Sequence, residues 1–227
     1  MVAASDVTFQ LLDGQLLDGQ LAAASEEELL ALRAEVYGAA AGAGEHARQF
    51  RVWRRQPGFA LAAAWHGEYL VGYACGMPLR PSTSWWKELT TPLPADVTAE
   101  HPGRTFALTD LAVRAAWRRQ GIAGSLYRLL MDGRAEERAT LAVPPGATAA
   151  QRAFRSWGWR KVARTRGPGP DDTPVLDVLL LTLRPLTPGG FDERAEQAHV
   201  GCCRFFPFRV PLHADREPVR PRLDRLD

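Results

Sequence analysis

The sequence predicts an α/β domain of the α+β kind, with about seven strands and four helices in the order βααβββαβαββ. Three observations lead to it. Leu108 to Leu130 reads as an apolar strand, a short basic glycine-containing turn and an amphipathic helix, because a continuous apolar run gives way to apolar residues at helical spacing. Phe59–Trp65 and Tyr69–Met77 are apolar runs on either side of His66-Gly67-Glu68, the pattern of a β-hairpin. Two more helical segments open on boxes of the S/T-x-x-E/Q type, Ser25–Glu28 and Thr148–Gln151, whose paired side chains can satisfy free amides at a helix start.

The first strand falls near Val7–Leu12, where a duplicated Leu-Leu-Asp-Gly-Gln at 11–15 and 16–20 is too short for a solenoid and reads as strand and turn. From Ser25 a helix runs to about Ala41 with Leu29, Leu32, Val36, Tyr37 and Ala40 on its apolar face. A second, roughly Glu45 to Arg55, turns Phe50 and Trp53 to the core and stops at Pro57-Gly58. Cys75, inside the second hairpin strand, reads as a small core hydrophobe. Residues 78–103 form a long connection with Trp85 and Trp86 at its middle. Loops of that length are functional or disordered, and adjacent tryptophans are costly to leave in water. The pair is therefore expected to fold over a pocket as substrate contacts, with hydrophobic anchoring or a dimer contact as the alternatives. Thr105–Val113 is nearly all apolar, like a central strand. The helix behind it buries Ile122, Leu126, Leu129 and Leu130, Ala139–Val143 is a fifth strand, and a helix from Thr148 ends at Trp157-Gly158. Trp159–Arg164 and Val175–Leu183 are the last two strands.

A chain of 227 residues with 46% hydrophobic content suits one domain, 1–184, followed by a Pro- and Arg-rich extension over 185–227 that is expected to be largely disordered. The net charge of +2 is too balanced for a nucleic-acid binder, and the alternating Arg and acid of Arg216–Asp227 argues against a nucleic-acid arm. Cys75, Cys202 and Cys203 are an odd number without framework spacing, against a disulfide-stapled secreted domain. Adjacent Cys202 and Cys203 lack the geometry of a zinc site, so no metal is expected. With no signal segment and no membrane-length apolar run, a soluble cytoplasmic protein is expected.

The functional signal lies in the turn Arg118-Arg119-Gln120-Gly121-Ile122-Ala123-Gly124-Ser125. The first amides of a helix have no intrahelical partner and, with the positive end of the helix dipole, attract phosphate. Gly121 and Gly124 let a bulky anion approach the backbone, while Arg118 and Arg119 add charge at the same place. Neither G-x-x-x-x-G-K-[S/T] nor a strand-borne G-x-G-x-x-G occurs, which excludes a P-loop and a dinucleotide fingerprint. What occurs is R-x-x-G-x-A, Arg118 to Ala123, after Leu111-Ala112-Val113. This resembles motif A of the GNAT acyl-CoA-dependent N-acetyltransferases, [R/Q]-x-x-G-x-[G/A]. A second segment, Ala150-x-x-Ala153-Phe154-x-x-x-Gly158-Trp159, is similar to that family's A-x-x-x-[Y/F]-x-x-x-G-[F/W]. The resemblance covers about residues 6 to 184.

The resemblance implies a mixed, mostly antiparallel sheet splayed between strands four and five, with acetyl-CoA as cosubstrate in the opening. It places the cofactor against Leu111, Ala112, Val113, Arg118 to Ser125 and Phe154. It assigns the thioester oxygen to a backbone N–H of Val113 or Leu111. The implied reaction moves an acetyl group to a primary amine of a small molecule or peptide by direct attack. Where the family often carries a tyrosine that returns a proton to the thiolate, this chain has Phe154, and a frequent asparagine is Ala147. An acyl-CoA-binding module with little catalysis is therefore the alternative. Asp110 is the only carboxylate on the central strand, and a charge there is costly unless paired or wet. It reads either as base or acceptor contact, or as one half of a salt bridge to an arginine. No nucleic acid or membrane partner is expected, and a homodimer stays open.

Overall fold

The computed structural model describes residues 6–13, 23–38, 43–167 and 175–183. The extension over 185–227, with Cys202 and Cys203, and most of the duplicated pentapeptide lie outside the described residues, as does the side chain of Ser25.

Strands β1 (Val7–Asp13), β2 (Ala60–His66), β3 (Tyr69–Pro78), β4 (Thr105–Val113), β5 (Arg138–Val143), β6 (Arg160–Arg166) and β7 (Val175–Thr182) form one sheet in the order β1-β2-β3-β4-β5-β7-β6. Helices α1 (Ala23–Tyr37) and α2 (Ala43–Arg54) precede β2, α3 (Ile122–Met131) follows β4, and α4 (Thr148–Ser156) follows β5. A single helical turn, Ala95–Thr98, and a 3-10 turn, Ala115–Trp117, complete the described elements. The predicted order of strands and long helices is the observed one.

Neighbouring strands are antiparallel except β4 and β5, which run parallel and pair only at Thr105–Arg138, Phe106–Ala139 and Ala107–Thr140. Beyond Ala107 the two strands part. The cause lies on the other side of β4: Cys75 pairs with Asp110 and Gly76 with Leu108, so Thr109 is an extra, bulged residue. A bulge bends and twists its strand, and this one begins where the pairing to β5 stops. Gly76 is required opposite it, because a Cβ there would stand 2.4 Å from the Ala107 carbonyl oxygen and 2.6 Å from the Phe106 ring.

The bulge also resets which side chains face which layer. Phe106 and Leu108, and after the bulge Leu111 and Val113, pack with Leu126, Leu130, Phe154 and Trp159 on the α3/α4 face. Ala112 packs with Leu29, Leu32, Phe50 and Tyr73 on the α1/α2 face, and Asp110 shares that face. Strict alternation, which sets Ala107 opposite Asp110, is thus corrected: one inserted residue puts the two on the same side.

The expected capping box at Ser25 rests on a side chain outside the described residues, and the one at Thr148 is absent. α1 already runs from Ala23, and the Glu28 carboxylate accepts the amide of Leu70 across the sheet at 2.9 Å. α4 has Ala147 as its N-cap residue with no side-chain cap, and Gln151 donates instead to Asp177 (3.2 Å) and the Pro144 carbonyl (3.4 Å). α1 ends at Tyr37, four residues before the expected stop, with the Gly38 amide on the Ala34 carbonyl. The end of α4 is as expected: Gly158 has φ +92 and the Trp159 amide reaches back to the Phe154 carbonyl. No helix among the described residues is long and apolar enough to cross a membrane.

The long connection is ordered by the sheet edge. The Thr90 amide donates to the Arg164 carbonyl and the Arg166 amide to that of Glu88, around a Leu89–Thr165 bridge. Leu79 and Trp86 pack with Ala107, Ala163 and Val178 in a third apolar cluster.

Candidate active site

The turn between β4 and α3 starts from a buried anchor. Trp117 packs against the His66 ring at 5.0 Å, and the chain then passes through Arg119 (φ 63) and Gly121 (φ 83), both left-handed. Gly121 is the N-cap residue of α3 and no side chain caps the helix. The first helical bond is from the Ser125 amide to the Gly121 carbonyl, at 3.0 Å. The amides of Ile122, Ala123 and Gly124 therefore precede the ladder and point along the axis, out of the N-terminus. A Cβ on Gly121 would meet nothing within 4 Å, so no other part of the protein crowds the chain at the residue before these donors. A diphosphate fits this arrangement: several parallel N–H groups, a dipole end and the guanidinium groups of Arg118 and Arg119.

The same turn touches the unpaired edge of β4. Arg114 donates its amide to Val71 on β3, so the alternate residues Leu111 and Val113 aim their N–H and C=O groups away from β3, into the gap. Two side chains sit on that edge. The Tyr37 hydroxyl donates to the Leu111 carbonyl at 2.8 Å, and Arg118 Nε donates to the Val113 carbonyl at 3.0 Å.

On the α1/α2 side of the gap stands Asp110, its side chain only 6% exposed. One oxygen, Oδ2, accepts from the Tyr73 hydroxyl (2.7 Å) and from Arg33 Nε (3.2 Å), and His46 Nε2 lies 3.5 Å away. The arginine expected as a structural partner is thus present and comes from α1. Burial first, then the Asp110 carboxylate, push the Tyr73 and Tyr37 hydroxyls well above the ordinary tyrosine range, so both stay protonated. Burial and the neighbouring Arg33 charge hold His46 down to about 4, so its ring is neutral at neutral pH. Burial and the Asp110 charge likewise push the Cys75 thiol up, which makes it inert as a nucleophile.

Across the gap, α3 and α4 close on an aromatic group. Phe154 meets Trp157 and Trp159 edge-on, and Tyr127 stacks on Trp157 at 4.3 Å. The Tyr127 hydroxyl accepts the Trp159 indole N–H at 3.1 Å, and burial raises its pKa. It is held against α4 rather than turned to the edge of β4.

Trp86 takes the anchoring alternative. It is buried, its indole N–H donates to Glu100 Oε1 at 2.9 Å, and the Arg138 guanidinium lies over its ring at 5.6 Å. Trp85 is half-buried beside the same cluster. Four residues of the site were not singled out from the sequence: Arg33, Tyr37 as a polar group, His46 and Tyr73. A signal existed for the first two. Arg33 interrupts the apolar face between Leu32 and Val36, and it stands one turn before Tyr37, whose ring its guanidinium covers at 5.1 Å. Tyr37 is 46% exposed as a whole residue, while its hydroxyl is turned inward onto the Leu111 carbonyl, so it belongs to the site, not to the core. His46 and Tyr73 carry no such signal, because α2 and β3 read as ordinary core elements. No group of three or more His, Cys, Asp or Glu among the described residues could hold a metal.

None of the curated proteins matches this chain. Among solved structures, it is similar to the ribosomal-protein-S18-alanine N-acetyltransferase of Escherichia coli, with 13% identity over 78% of this chain and 94% of that one, at a TM-score of 0.54. It is also similar to NAA60 of Arabidopsis thaliana in complex with acetyl-CoA, with 14% identity over 78% and 99% of the two chains and a TM-score of 0.56. A GNAT family acetyltransferase from Elizabethkingia anophelis with acetyl-CoA bound gives 12% identity over 78% and 99%, at 0.51. At such identities these three show the fold alone. The model of the acetyltransferase (GNAT) family matches residues 26–159, more than half of the sequence, from within α1 to the residue before β6. The chain belongs to the GNAT acetyltransferase family.

Proposed function

We propose that this protein transfers the acetyl group of acetyl-CoA to a primary amine by direct attack in a ternary complex. The observation that carries the reading is the parted edge of β4, which runs from Leu111 and Val113 straight into an uncapped helix N-terminus. Arg118 to Ser125 hold the diphosphate, and the Leu111, Ala112 and Val113 backbone with Phe154 lines the path to the gap. The N–H of Leu111 or Val113 takes the thioester oxygen as charge builds on it.

Acetyl-CoA supplies a thioester carbon. A neutral amine forms the C–N bond there, the C–S bond breaks, the amine proton leaves to solvent and the thiolate is protonated by water. The protein's contribution is position and exclusion of water. Asp110, which holds Arg33 and Tyr73 on one oxygen, acts on the acceptor side by fixing those groups rather than as a free base.

A titration of the full chain with acetyl-CoA by calorimetry, followed by thiol release over a panel of amines, tests this. Binding with release is the expected result. Binding with no release for any amine supports the second reading, an acyl-CoA-binding module, which the absence of a hydroxyl at Phe154 favours. No binding removes both.

A further inference from the structure

The acceptor side of the gap carries a charge that the acetyl transfer itself does not need. Arg33 uses Nε for Asp110, and its two Nη groups make no hydrogen bond among the described residues. Its side chain keeps 22% exposure where Asp110 keeps 6%, so Arg33 is the member of the pair that meets the surface. It lies over the Tyr37 ring, and the hydroxyl of that ring sits on the Leu111 carbonyl at the gap edge. One tyrosine ring therefore separates the guanidinium from the backbone beside which the amine must attack.

We propose that Arg33 makes this a site for amines that carry a carboxylate a few bonds from the nucleophilic nitrogen, as in an amino acid. This deepens the transferase reading and rests on it. The charges on the page agree. The Arg33–Asp110 pair carries no net charge and His46, which faces the same carboxylate, is neutral, so a plain ammonium meets no net negative charge and the choice of acceptor falls to the open Nη donors. A guanidinium with its two Nη groups open presents parallel N–H donors that match the two oxygens of a carboxylate. With the carboxylate there, the chain of such an acceptor runs along the Tyr37 ring and delivers its nitrogen to the edge of β4. A plain alkylamine has only the second half of this contact.

The test compares γ-aminobutyrate with n-butylamine, which match in chain length, as acceptors for the full-length protein, read as thiol release. The expected result is a kcat/KM at least about tenfold higher for the carboxylated amine, the scale of one charge-assisted contact. The double variant R33Q/D110N removes both charges together, so that no unpaired carboxylate is left behind. In it the ratio should fall to within about twofold of unity, and R33K, a point charge without the fork, should fall between. A circular dichroism melt of each variant checks that it is folded before the ratio is read. Equal and measurable rates for the two amines in a wild type that binds acetyl-CoA, or a preference that survives R33Q/D110N, overturns the Arg33 assignment while leaving the transferase reading in place. A wild type that does not bind acetyl-CoA, or that binds it and releases thiol with no amine, overturns both.

Discussion

At the scale of single residues, Gly121 and Gly124 do different work although both lie in the same turn. Gly121 has φ +83, where an L-residue is strained whatever the space, while a Cβ on Gly124 would only touch Trp157 at 3.9 Å. Gly121→Val should lower stability by about 1–2 kcal/mol as well as weaken acetyl-CoA. Gly124→Ala should keep or raise the melting temperature, since alanine favours a helix by up to about 1 kcal/mol, and should still weaken acetyl-CoA if the anion approaches there. Calorimetry and thermal melts on both variants separate the effects, and an unchanged affinity in Gly124→Ala would remove that glycine from the cradle. Asp110→Asn offers a second residue test. If the carboxylate only holds Arg33 and Tyr73, its rate ratio to wild type should be flat between about pH 6 and 9; a deficit growing toward low pH would make it a base. His46 gives a stability test with a definite sign. Its pKa is about 4 folded and 6.5 unfolded, so between these values the unfolded chain binds more protons. Its contribution is complete above pH 6.5 and is lost as pH falls to about 4, and in His46→Gln the melting temperature should fall less over that interval. Asp177 does not confuse the reading. Burial pushes its carboxyl up, but Lys161 and Arg164 outweigh that and hold it below 3.8, so its loss comes at lower pH.

Among the elements, β4 sets the site because one residue too many is built into it. The bulge at Thr109 ends the pairing to β5 and places Asp110 on the α1/α2 face while Leu111 and Val113 line the other. Deleting Thr109 leaves Leu108 and Asp110 on opposite faces, as plain alternation requires, so core packing survives. The straightened strand could then pair with Leu141–Val143 and close the gap. The expected outcome is a melting temperature equal to or above wild type with acetyl-CoA binding lost. Retained binding would show that something other than the bulge parts the strands. The connection over 78–103 has its own lock: the Glu100 side chain is 0% exposed and shares Oε1 among Trp86, Thr105 and Arg138. Arg138→Met leaves that carboxylate buried without its cation, at a cost of about 3–5 kcal/mol. Limited proteolysis of that variant should cut first within 78–103, and a cut elsewhere would place the damage outside the loop.

For the molecule as a whole, what was legible in the sequence and what was not divide on a physical line. Local rules found the element order, the turn Arg118–Gly124 and the glycine end of α4, because periodicity, breakers and backbone dihedrals are encoded by neighbours. The bulge was missed, since an inserted residue shows only against the register of a partner strand. The capping box at Thr148 failed because Gln151 found a partner at Asp177, 26 residues away, that a local pattern does not contain. Arg33, His46 and Tyr73 converge on Asp110 from three different elements, so no spacing announces them.

The same parted sheet fixes how binding should be felt far from the ligand. β1 to β4 and β5 to β7 are joined by three residue pairs at one end, and beyond them mainly by the apolar layer in which α3 meets Phe154 and Trp159. A ligand held by the α3 turn and the β4 edge on one side, and by α4 on the other, bridges the two parts where the sheet does not. Binding to the folded state alone adds about 2.7 kcal/mol at a hundredfold excess over Kd. That stabilisation should reach both parts, so hydrogen exchange on the full chain with saturating acetyl-CoA should slow at Leu111, Val113 and Ile122–Gly124 directly. It should also slow along β5 and β7, which contain none of the proposed contacts. Protection confined to the turn would mean that the ligand sits on α3 without reaching across the gap, and the acetyl group would then have no place between the strands from which to be transferred.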